Sequence, residues 1–505
     1  MNVAELILAR GEALAPAVIF RGGAMTYACL REQVGRVAGA LVAQGYAKGE
    51  RIGMFSENCP FFIITYLGII RAGLVAVPLQ TELTQEGLEQ IARDSGFKAL
   101  FVSRRYAPRL RLWVEASKLR MLEEGQWPEA LSAVEMPEIS PASDLAALMF
   151  TSGSTGKPKG VMVSHRNIEC NSVDIIQYMG LTAGDRVLVV LPLHYCFGTS
   201  LLHTHLMAGG SLVLNNDFRL YPEKALHELK EHNCTGLAGV PSTYQLLLRQ
   251  SRFREMSFPS LRWFQQAGGK LPNPCIEELS TAFPEVRYYL MYGQTEATAR
   301  LSYLPPEELE GKLGSIGRGL PSTTLEVLKP DGRAVVPGGA EIGEIVASGD
   351  NITLGYWRDP VETAKYFRNG KLYTGDLARV DADGFIYVVE RERDMIKAGG
   401  NRVSAKEIEE VISELPSVVE VAVIGAPHEL LGEAIYAVVV PQAHAELTAA
   451  AVQEHCRQRL ASFKVPKEVL LVRTMPHNGS GKVLKHKLKE LLEKSTPPTL
   501  LALAR

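Results

Sequence analysis

The order of apolar segments along the chain constrains its fold more than any other feature. Segments with helical spacing and segments typical of buried strands alternate. The first set predicts a helix at 30–44, a strand at 51–55, a helix at 60–71 and a strand at 74–78. Further strands are predicted at 186–190, 210–214 and 235–240. This alternation predicts mostly parallel sheets with helices on their faces. We therefore expect an α/β fold whose large N-terminal domain contains two doubly wound subdomains.

The pattern changes in the second part of the chain. Residues 314–389 contain short apolar runs separated by Gly and Asp, which predicts a small β-barrel region. A charge run, Glu-Arg-Glu-Arg-Asp at 390–394, follows, and its composition alone predicts a solvated turn. Beyond it, a predicted helix, two apolar strands and a second helix form a unit of about a hundred residues, enough for an α+β domain. The charge run is the predicted boundary.

Composition excludes several classes of function. The chain has 505 residues and a net charge of −2 without a long basic run, which argues against nucleic acid or an anionic membrane as a partner. Seven scattered cysteines without CxxC spacing argue against a disulfide framework or a zinc site. The first residues carry an acid where a secretion signal would carry basic residues. We expect a cytoplasmic protein.

One loop carries an unusual density of anion-binding groups. Residues 151–160 read TSGSTGKPKG, and apolar runs on both sides predict strand, loop, strand. Glycines let backbone N–H groups turn toward a ligand, and hydroxyls and lysines add donors for phosphate oxygens. The pattern differs from the P-loop of nucleotide triphosphatases, because Pro158 follows Gly-Lys where Ser or Thr is required. A solvated linker is the alternative. The predicted phosphate-binding residues are Thr151, Ser152, Gly153, Ser154, Thr155, Gly156 and Lys157.

This loop closely resembles the phosphate loop of the adenylate-forming superfamily, which contains acyl- and aryl-CoA synthetases, peptide synthetase adenylation domains and firefly-type luciferases. A second segment, residues 289–297 (YLMYGQTEA), is similar to the family's Tyr-Gly-x-Thr-Glu motif. The resemblance implies that Tyr292 stacks on adenine beside Gly293, that Thr295 lies near the α-phosphate and that Glu296 binds Mg²⁺. The turn QQAGGK at 265–270 resembles the family's adenine-sandwiching turn, which assigns Gly268 and Gly269 to adenine.

Three later segments extend the resemblance to residue 490. In YTGD at 373–376, Asp376 takes the role of the carboxylate that accepts hydrogen bonds from both ribose hydroxyls. In the segment that begins at residue 390, Arg391 matches an arginine that contacts ribose and phosphate, although Glu390 replaces the usual glycine. Arg393 stands at the hinge position, commonly Asp or Lys. Three further residues complete the set: Gly399 and Gly400 in the thiol tunnel, and Lys482 as the catalytic lysine.

The resemblance also implies a domain plan and an acid pocket. The plan is an ATP- and acid-binding domain at 1–389, a hinge at 390–393 and a smaller mobile lid domain at 394–505. The pocket walls are 191–198 and 239–244, and no aspartate in the first wall is available to pair with an α-ammonium group. We expect a carboxylic acid without an α-amino group. A structural histidine and a simply buried Cys196 remain alternatives in this wall. The pocket residues are His194, Tyr195, Phe197, Gly198 and Ser242.

The expected reaction is that of an AMP-forming ligase using ATP and Mg²⁺. The acid would become an acyl-adenylate and then a thioester of CoA. A stand-alone enzyme that loads the phosphopantetheine arm of a separate carrier protein is the alternative. A different class of function is a nucleotide-binding module that has lost catalysis. Such a module would lack the family's metal-binding glutamate or catalytic lysine, but this sequence has both, as Glu296 and Lys482. Fold alone gives no reason to expect luciferase-like oxygen chemistry.

Overall fold

The computed structural model describes residues 1–126, 134–151, 158–391, 394–398, 401–428, 432–443, 445–479 and 481–494. Its first part holds helices and strands in close alternation. The helices are α1 Val3–Ala9, α2 Tyr27–Ala43, α3 Pro60–Arg71, α4 Gln85–Ser95, α5 Ala107–Ala116 and α6 His165–Met179. The strands are β1 Pro16–Phe20, β2 Gly23–Thr26, β3 Arg51–Phe55, β4 Val75–Leu79, β5 Ala99–Val102, β6 Arg120–Glu123, β7 Leu145–Thr151 and β8 Lys159–Ser164.

The next segment repeats the alternation and completes a second sheet. Its helices are α7 Cys196–Ala208, α8 Pro222–Glu231, α9 Pro241–Gln250 and α10 Asn273–Ala282. Its strands are β9 Arg186–Val189, β10 Ser211–Leu214, β11 Gly236–Gly239, β12 Trp263–Gln266, β13 Arg287–Tyr292 and β14 Ser302–Leu304.

These strands form two large sheets. One has six strands in the order β6-β5-β3-β4-β7-β8, and the other has eight in the order β14-β13-β12-β11-β9-β10-β1-β2. Most neighbours run parallel, and antiparallel pairs occur at the edges: β7 with β8, β1 with β2 and β13 with β14. The predicted pair of α/β subdomains is confirmed.

Helix α7 lies at the centre of the molecule. All thirteen of its residues are buried, and one continuous apolar cluster joins it to side chains of both large sheets. The hydroxyls of Thr199, Ser200 and Thr204 donate to backbone carbonyls inside the molecule, so the helix can be buried on all sides.

A smaller antiparallel sheet follows in the chain. Its strands are β15 Thr323–Leu328, β16 Gly343–Gly349, β17 Phe367–Arg368, β18 Lys371–Val380 and β19 Ile386–Arg391. Helix α11, Pro360–Tyr366, lies between β16 and β17 in the sequence. The strand order is β15-β16-β18-β17, with β19 paired to β18. This is the small β region expected from the short runs between residues 314 and 389.

The last part of the chain forms its own α+β unit. It contains helices α12 Ala405–Ser413, α13 Ala449–Arg459 and α14 Lys485–Lys494 and strands β20 Ile396–Ala398, β21 Asn401–Val403, β22 Val418–His428, β23 Gly432–Pro441 and β24 Glu468–Leu471. Among the described residues, no apolar cluster combines side chains from before residue 390 with side chains after 395. The predicted division at 390–393 stays a prediction, and this separation of cores supports it.

The charge run at 390–394 contains a buried residue. Glu390 is only 1% exposed, so the expectation of a solvated turn was wrong at this position. Its carboxylate accepts hydrogen bonds from the backbone N–H of Lys406 (3.2 Å) and the hydroxyl of Ser404 (3.3 Å), which is the N-cap of α12. A carboxylate is stabilised there by the free N–H groups and dipole of the helix start.

Among the described residues, no helix is both long enough and apolar enough to cross a membrane.

Candidate active site

Three residues predicted to bind adenine and ribose form one hydrogen-bonded cluster. The Tyr292 hydroxyl donates to Oδ2 of Asp376 (2.7 Å), and Nε of Arg391 donates to Oδ1 of the same carboxylate (3.0 Å). The register of β18 and β19 places Asp376 directly opposite Arg391, and Tyr292 ends β13. A carboxylate has about four acceptor positions, so Asp376 keeps capacity for ribose hydroxyls.

The charges of this cluster support one another. The Asp376 carboxylate raises the pKa of Arg391 above its ordinary value, and burial together with Asp376 raises the pKa of Tyr292. Asp376 is 3% exposed, and its own backbone N–H donates to the Thr374 hydroxyl (3.1 Å). The three side chains are therefore held in a fixed geometry before any nucleotide arrives.

Replacing Asp376 by asparagine is expected to raise the KM for ATP about tenfold to a hundredfold, because a charged acceptor at the sugar is lost. The substitution keeps the size of the side chain, so the effect should fall on ATP and leave the KM for the acid within about twofold. Steady-state kinetics of AMP formation at varied ATP would measure it. Asp383→Asn, an exposed position in the turn that joins β18 to β19, is the control. Equal changes in the two variants would contradict the ribose assignment.

Thr295 and Glu296 lie in a short 3₁₀ turn directly after β13. The Thr295 hydroxyl donates to Sγ of Cys196 (3.4 Å), which joins the turn to the first residue of α7. Burial raises the pKa of the Cys196 thiol, so this cysteine stays protonated and is unsuited to act as a nucleophile. Oε1 of Glu296 accepts a hydrogen bond from the Tyr356 hydroxyl (2.7 Å).

Glu296 is the acidic side chain that the sequence assigns to Mg²⁺. No cluster of three or more potential metal ligands occurs within the described part of the chain. A lone carboxylate suits Mg²⁺ that takes its other ligands from phosphate oxygens and water. The donor set therefore fits a metal that arrives with a nucleotide.

The described ends of the predicted phosphate loop lie at the edge of the six-stranded sheet. Thr151 ends β7 and pairs with Lys159, the first residue of β8. Lys159 forms an ion pair with Glu362 of α11, and the Gly160 carbonyl accepts a hydrogen bond from Trp357 (2.8 Å). Six of the predicted phosphate ligands lie outside the described residues: Ser152, Gly153, Ser154, Thr155, Gly156 and Lys157.

The predicted adenine turn follows β12. Gly268 has φ +84°, a conformation that favours glycine, and a Cβ there would lie 2.9 Å from Val240 and 3.5 Å from the Tyr195 hydroxyl. Gly269 lies against Pro241, and its carbonyl accepts a hydrogen bond from the Gln266 side chain (2.8 Å). The turn thus borders both predicted walls of the acid pocket. The backbone of Gly293, after Tyr292, packs against Ala299.

The first predicted wall of the acid pocket, residues 191–198, is called the acid wall below. It contains the turn before α7 and the first three residues of that helix. Burial lowers the pKa of His194 to about 4, against the opposing effect of Glu82, so His194 is neutral near pH 7. Burial also raises the pKa of the Tyr195 hydroxyl. Phe197 is 2% exposed, and Gly198 packs on the carbonyl of Pro192. At neutral pH this wall can offer hydrogen bonds and apolar surface, but no positive charge from His194.

A tight hairpin near the C-terminus covers this wall. His477 and Val483 pair across it, Lys482 N–H donates to Oδ1 of Asn478 (2.8 Å), and Asn478 N–H donates to the Lys482 carbonyl (2.9 Å). Gly481, with φ +86°, makes the turn, and its Cβ position faces Ser242. Lys482 is exposed.

Two hydrogen bonds connect the hairpin with the N-terminal part of the chain. The Ser242 hydroxyl donates to the Gly481 carbonyl (2.8 Å), and Arg219 donates to the Asn478 carbonyl (3.4 Å). A Cβ at Gly479 would lie 2.9 Å from Oε2 of Glu82 and 3.7 Å from Nε2 of His194. The structure therefore brings the hairpin that carries Lys482 onto His194 and Ser242, two residues predicted for the acid pocket.

The C-terminal α+β unit makes a further contact, beside the predicted adenine turn. Lys270 forms an ion pair with Glu410 of α12, and the same carboxylate accepts a hydrogen bond from the backbone N–H of Asn273 (3.3 Å). The predicted hinge residue Arg393 and the predicted tunnel residues Gly399 and Gly400 lie outside the described residues.

Sequence reasoning missed several residues at this site. Tyr356, which bonds Glu296, and Glu82, which approaches the lid hairpin, stand in segments without a motif. Buried Arg300 was also missed, although it lies only four residues after Glu296 and a charged residue in an otherwise apolar segment was a usable signal.

Comparison with known protein families agrees with this geometry. Residues 9–357 match the model of the AMP-binding enzymes, and residues 407–482 match the model of the AMP-binding enzyme C-terminal domain. The two matches fall on the two parts of the chain that the hairpin joins, and the second one ends at Lys482.

Individual proteins resemble this chain over nearly its whole length. A feruloyl-CoA synthase from an Amycolatopsis species is 35% identical and a long-chain-fatty-acid–CoA ligase from Mycobacterium tuberculosis 32% identical, covering 94% of this chain and 95% and 94% of their own. The solved structure of o-succinylbenzoate CoA synthetase from Bacillus subtilis with ATP and magnesium ion superposes with a TM-score of 0.83 at 29% identity, covering 97% of this chain and 99% of that one. By its sequence, its fold and the arrangement of these residues, the chain belongs to the family of AMP-binding enzymes.

Proposed function

We propose that this protein is an AMP-forming ligase that activates a carboxylic acid with ATP and transfers the acyl group to CoA. The observation that carries the proposal is the lid hairpin. The hairpin that carries Lys482 is bonded to Ser242 and lies beside His194, two residues predicted for the acid pocket, and this contact supports a role of Lys482 at that pocket. The relatives described above are named as CoA ligases and synthetases, which favours CoA over a carrier protein as the acceptor.

The first step makes the acyl-adenylate. One carboxylate oxygen attacks the α-phosphorus of ATP, a new P–O bond forms, and the bond to pyrophosphate breaks. Negative charges of carboxylate and phosphate must approach each other, so the catalyst gains most from fixed positive groups and alignment. Lys482 supplies the ammonium group between the two anions. The Asp376 cluster holds the sugar, and the Thr295 hydroxyl lies at the first turn of α7.

Mg²⁺, when bound, neutralises phosphate charge. Glu296 is the residue that would hold it, and the Tyr356 hydroxyl fixes this carboxylate by its 2.7 Å hydrogen bond. The tyrosine orients one oxygen and leaves the other to a ligand.

The second step consumes the adenylate. The sulfur of CoA, having lost its proton, attacks the acyl carbon, a C–S bond forms, and AMP leaves with the electron pair of the C–O bond. The thiol needs access to a carbonyl that the lid hairpin covers, which calls for movement of the lid between the two steps. Arg393 at the hinge and Gly399 and Gly400 at the tunnel remain the residues proposed for this movement and entry.

The proposed acid lacks an α-amino group. The wall 191–198 contains no carboxylate, and Glu82, the carboxylate near His194, is exposed. An exposed carboxylate in water gains little from an ammonium partner.

Formation of AMP from ATP with purified protein, Mg²⁺ and pooled acids tests the proposal. We expect AMP with non-amino carboxylic acids, and multiple turnovers once CoA is added. Parallel reactions contain amino acids in place of the acids, or a phosphopantetheinylated carrier protein in place of CoA. Turnover with the carrier alone would contradict CoA as acceptor, and AMP only with amino acids would contradict the proposed acid class. No AMP in any reaction would contradict the ligase activity.

A further inference from the structure

The turn that carries Glu296 contains a strained backbone. Thr298, two residues after Glu296, has φ +67° and ψ −59° and is 8% exposed. The N–H of Ala299 donates to the carbonyl of Ala297 (2.7 Å), which closes a three-residue γ-turn around Thr298. A γ-turn with positive φ is rare and strained, and the β-branched side chain of threonine fits this conformation poorly. Other contacts must therefore hold Thr298 in place.

Thr298 differs from the other described non-glycine residues that have a positive φ. Those residues are exposed and unbranched at Cβ: Lys118, Asn233, Arg358 and Asn369. Backbone strain persists only where the surrounding structure enforces it, and such strain is concentrated at active sites and ligand-binding turns. The position of Thr298 beside the predicted Mg²⁺ ligand agrees with that rule.

The pairing of β13 with β14 requires a tight turn at this place. Tyr292 lies opposite Ser302, so the chain must reverse direction between these two residues. A Cβ at Gly293 would lie only 2.1 Å from the carbonyl oxygen of Ala299, which shows that the returning chain passes directly over Gly293. Little space is left for a wider loop, and the γ-turn at Thr298 keeps the loop narrow.

Residues 351–357, called the bridging segment below, hold the strained turn. The Thr298 hydroxyl donates to the carbonyl of Asn351 (2.8 Å), and Asn351 is fully buried. The backbone N–H of Thr353 and its hydroxyl both donate to the carbonyl of Glu296 (3.0 and 2.9 Å). The bridging segment therefore fixes the strained residue through its side chain and the predicted metal ligand through its backbone.

The bridging segment is also bound to the strand that follows the predicted phosphate loop. Backbone hydrogen bonds of 2.8–3.0 Å join residues 354–357 to residues 160–162 of β8. Within this stretch, the Tyr356 hydroxyl donates to Oε1 of Glu296 (2.7 Å). One short segment thus sets the position of the Glu296 carboxylate relative to the end of the phosphate loop.

We infer that Thr298 is a positioning residue, whose hydroxyl anchors the strained turn to Asn351 and so presents the Glu296 carboxylate to the Mg²⁺ that accompanies ATP. The inference rests on the proposed function and adds a residue that acts through Glu296. Without the anchor, the strain favours relaxation of Thr298 toward negative φ, and the carboxylate two residues earlier is displaced from its place beside β8. Partners that orient a metal ligand typically contribute about tenfold to a hundredfold to metal affinity.

Calorimetric titration of the full-length protein with ATP, in Mg²⁺ and separately in EDTA, tests the inference without turnover. The wild type should bind ATP more tightly with Mg²⁺. Thr298→Val keeps the shape of the side chain and removes the hydroxyl, so it should lose about tenfold of this gain. Its Kd for ATP in EDTA should stay within about twofold of the wild type, because the Asp376 cluster is unchanged. Thr298→Ser keeps the hydroxyl and should retain the gain.

Two further variants separate positioning from stability. Thr65→Val removes another buried threonine hydroxyl, which donates to the Phe61 carbonyl (2.8 Å) within α3, and should leave the Mg²⁺-dependent gain unchanged. Thr298→Gly adopts a positive φ without strain, so it should fold and unfold near the wild-type temperature, yet bind ATP with Mg²⁺ about tenfold more weakly because nothing anchors the turn. In AMP formation, the Mg²⁺ concentration for half-maximal rate should increase in Thr298→Val and Thr298→Gly alone.

The titrations distinguish failure of the inference from failure of the proposed function. If no acid yields AMP, the ligase proposal fails, and the two titrations still decide the role of Thr298. A wild-type gain from Mg²⁺ in both Thr298→Val and Thr298→Gly would overturn the inference, and so would an equal loss in Thr298→Ser. Binding of ATP by the wild type that Mg²⁺ does not strengthen would overturn it together with the assignment of Glu296.

Discussion

Replacing Lys482 by alanine is expected to lower the rate of acyl-adenylate formation by about 10²–10³. The lysine stands in a hairpin that four internal contacts hold: two hydrogen bonds between Asn478 and Lys482, one from Gly481 to Asn478, and the pairing of His477 with Val483. These contacts use backbone atoms or the Asn478 side chain, so alanine leaves the hairpin intact. The loss should therefore fall on the ammonium group alone, at the point where carboxylate and phosphate charges meet.

The two half-reactions separate this role from a structural one. Thioester formation from a preformed acyl-adenylate and CoA should keep most of its rate in Lys482→Ala, because the phosphate bond is already broken in that substrate. Lys487→Ala is the matched control, since Lys487 is exposed in the same basic segment and is expected to act at wild-type rate in both steps. An equal loss in both half-reactions would show that the lysine supports the lid and not the adenylation step.

Acidification from pH 6.5 toward pH 4 is expected to destabilise the N-terminal part of the protein steeply. Burial lowers the pKa of four histidines: His165, His194 and His205 to about 4, and His203 to about 3. In the unfolded chain each would titrate near 6.5. Between these values the unfolded state binds more protons than the folded state, so the free energy of unfolding decreases as pH decreases. Each proton contributes about 1.4 kcal/mol per pH unit, and the four together approach about 5 kcal/mol per pH unit.

Unfolding temperature measured by tryptophan fluorescence from pH 7.5 to pH 5 would detect this dependence. His203→Gln keeps a hydrogen-bonding partner for the Tyr66 hydroxyl, which lies 3.0 Å from Nε2 of His203, and should reduce the slope by about one proton. His227→Gln, at an exposed position of α8, should leave the slope unchanged. A flat profile over this range would mean that the buried histidines take up protons in the folded state.

Elements with strong local patterns could be predicted from the sequence alone. The strand at 51–55 and the helix at 60–71 coincide with β3 and α3, because Pro60 begins a helix and a continuous apolar run after it is buried on all sides. The strand predicted at 235–240 is Gly236–Gly239. The motif residues Tyr292, Asp376 and Arg391 also meet as expected, since each ends or lies in a strand whose position the parallel sheet or hairpin fixes.

Contacts between distant segments could not be predicted in this way. Glu390 was expected to be solvated because four charged residues follow it. In the structure, the start of helix α12 brings N–H and hydroxyl donors to its carboxylate, and this contact cannot be read from the local sequence. Tyr356 is hydrogen-bonded to Glu296, which lies sixty residues earlier in the sequence. Glu82 contacts the hairpin at Gly479, nearly four hundred residues later in the sequence. Such partners depend on how sheets and domains dock, which the period of the apolar residues does not encode.

The docking of the lid hairpin has a consequence for exchanging parts between related enzymes. Ser242 and Arg219 bind the carbonyl oxygens of Gly481 and Asn478, which every amino acid provides. The N-terminal part of the chain thus recognises the shape of the turn and not the identity of its side chains. A lid transplanted from a relative should seat correctly if it keeps a glycine at the turn and a carboxylate at the position of Glu410, which pairs with Lys270. Substitutions in the acid pocket of the N-terminal part should therefore leave the seating of the Lys482 hairpin unchanged, provided that Ser242 and Arg219 are kept.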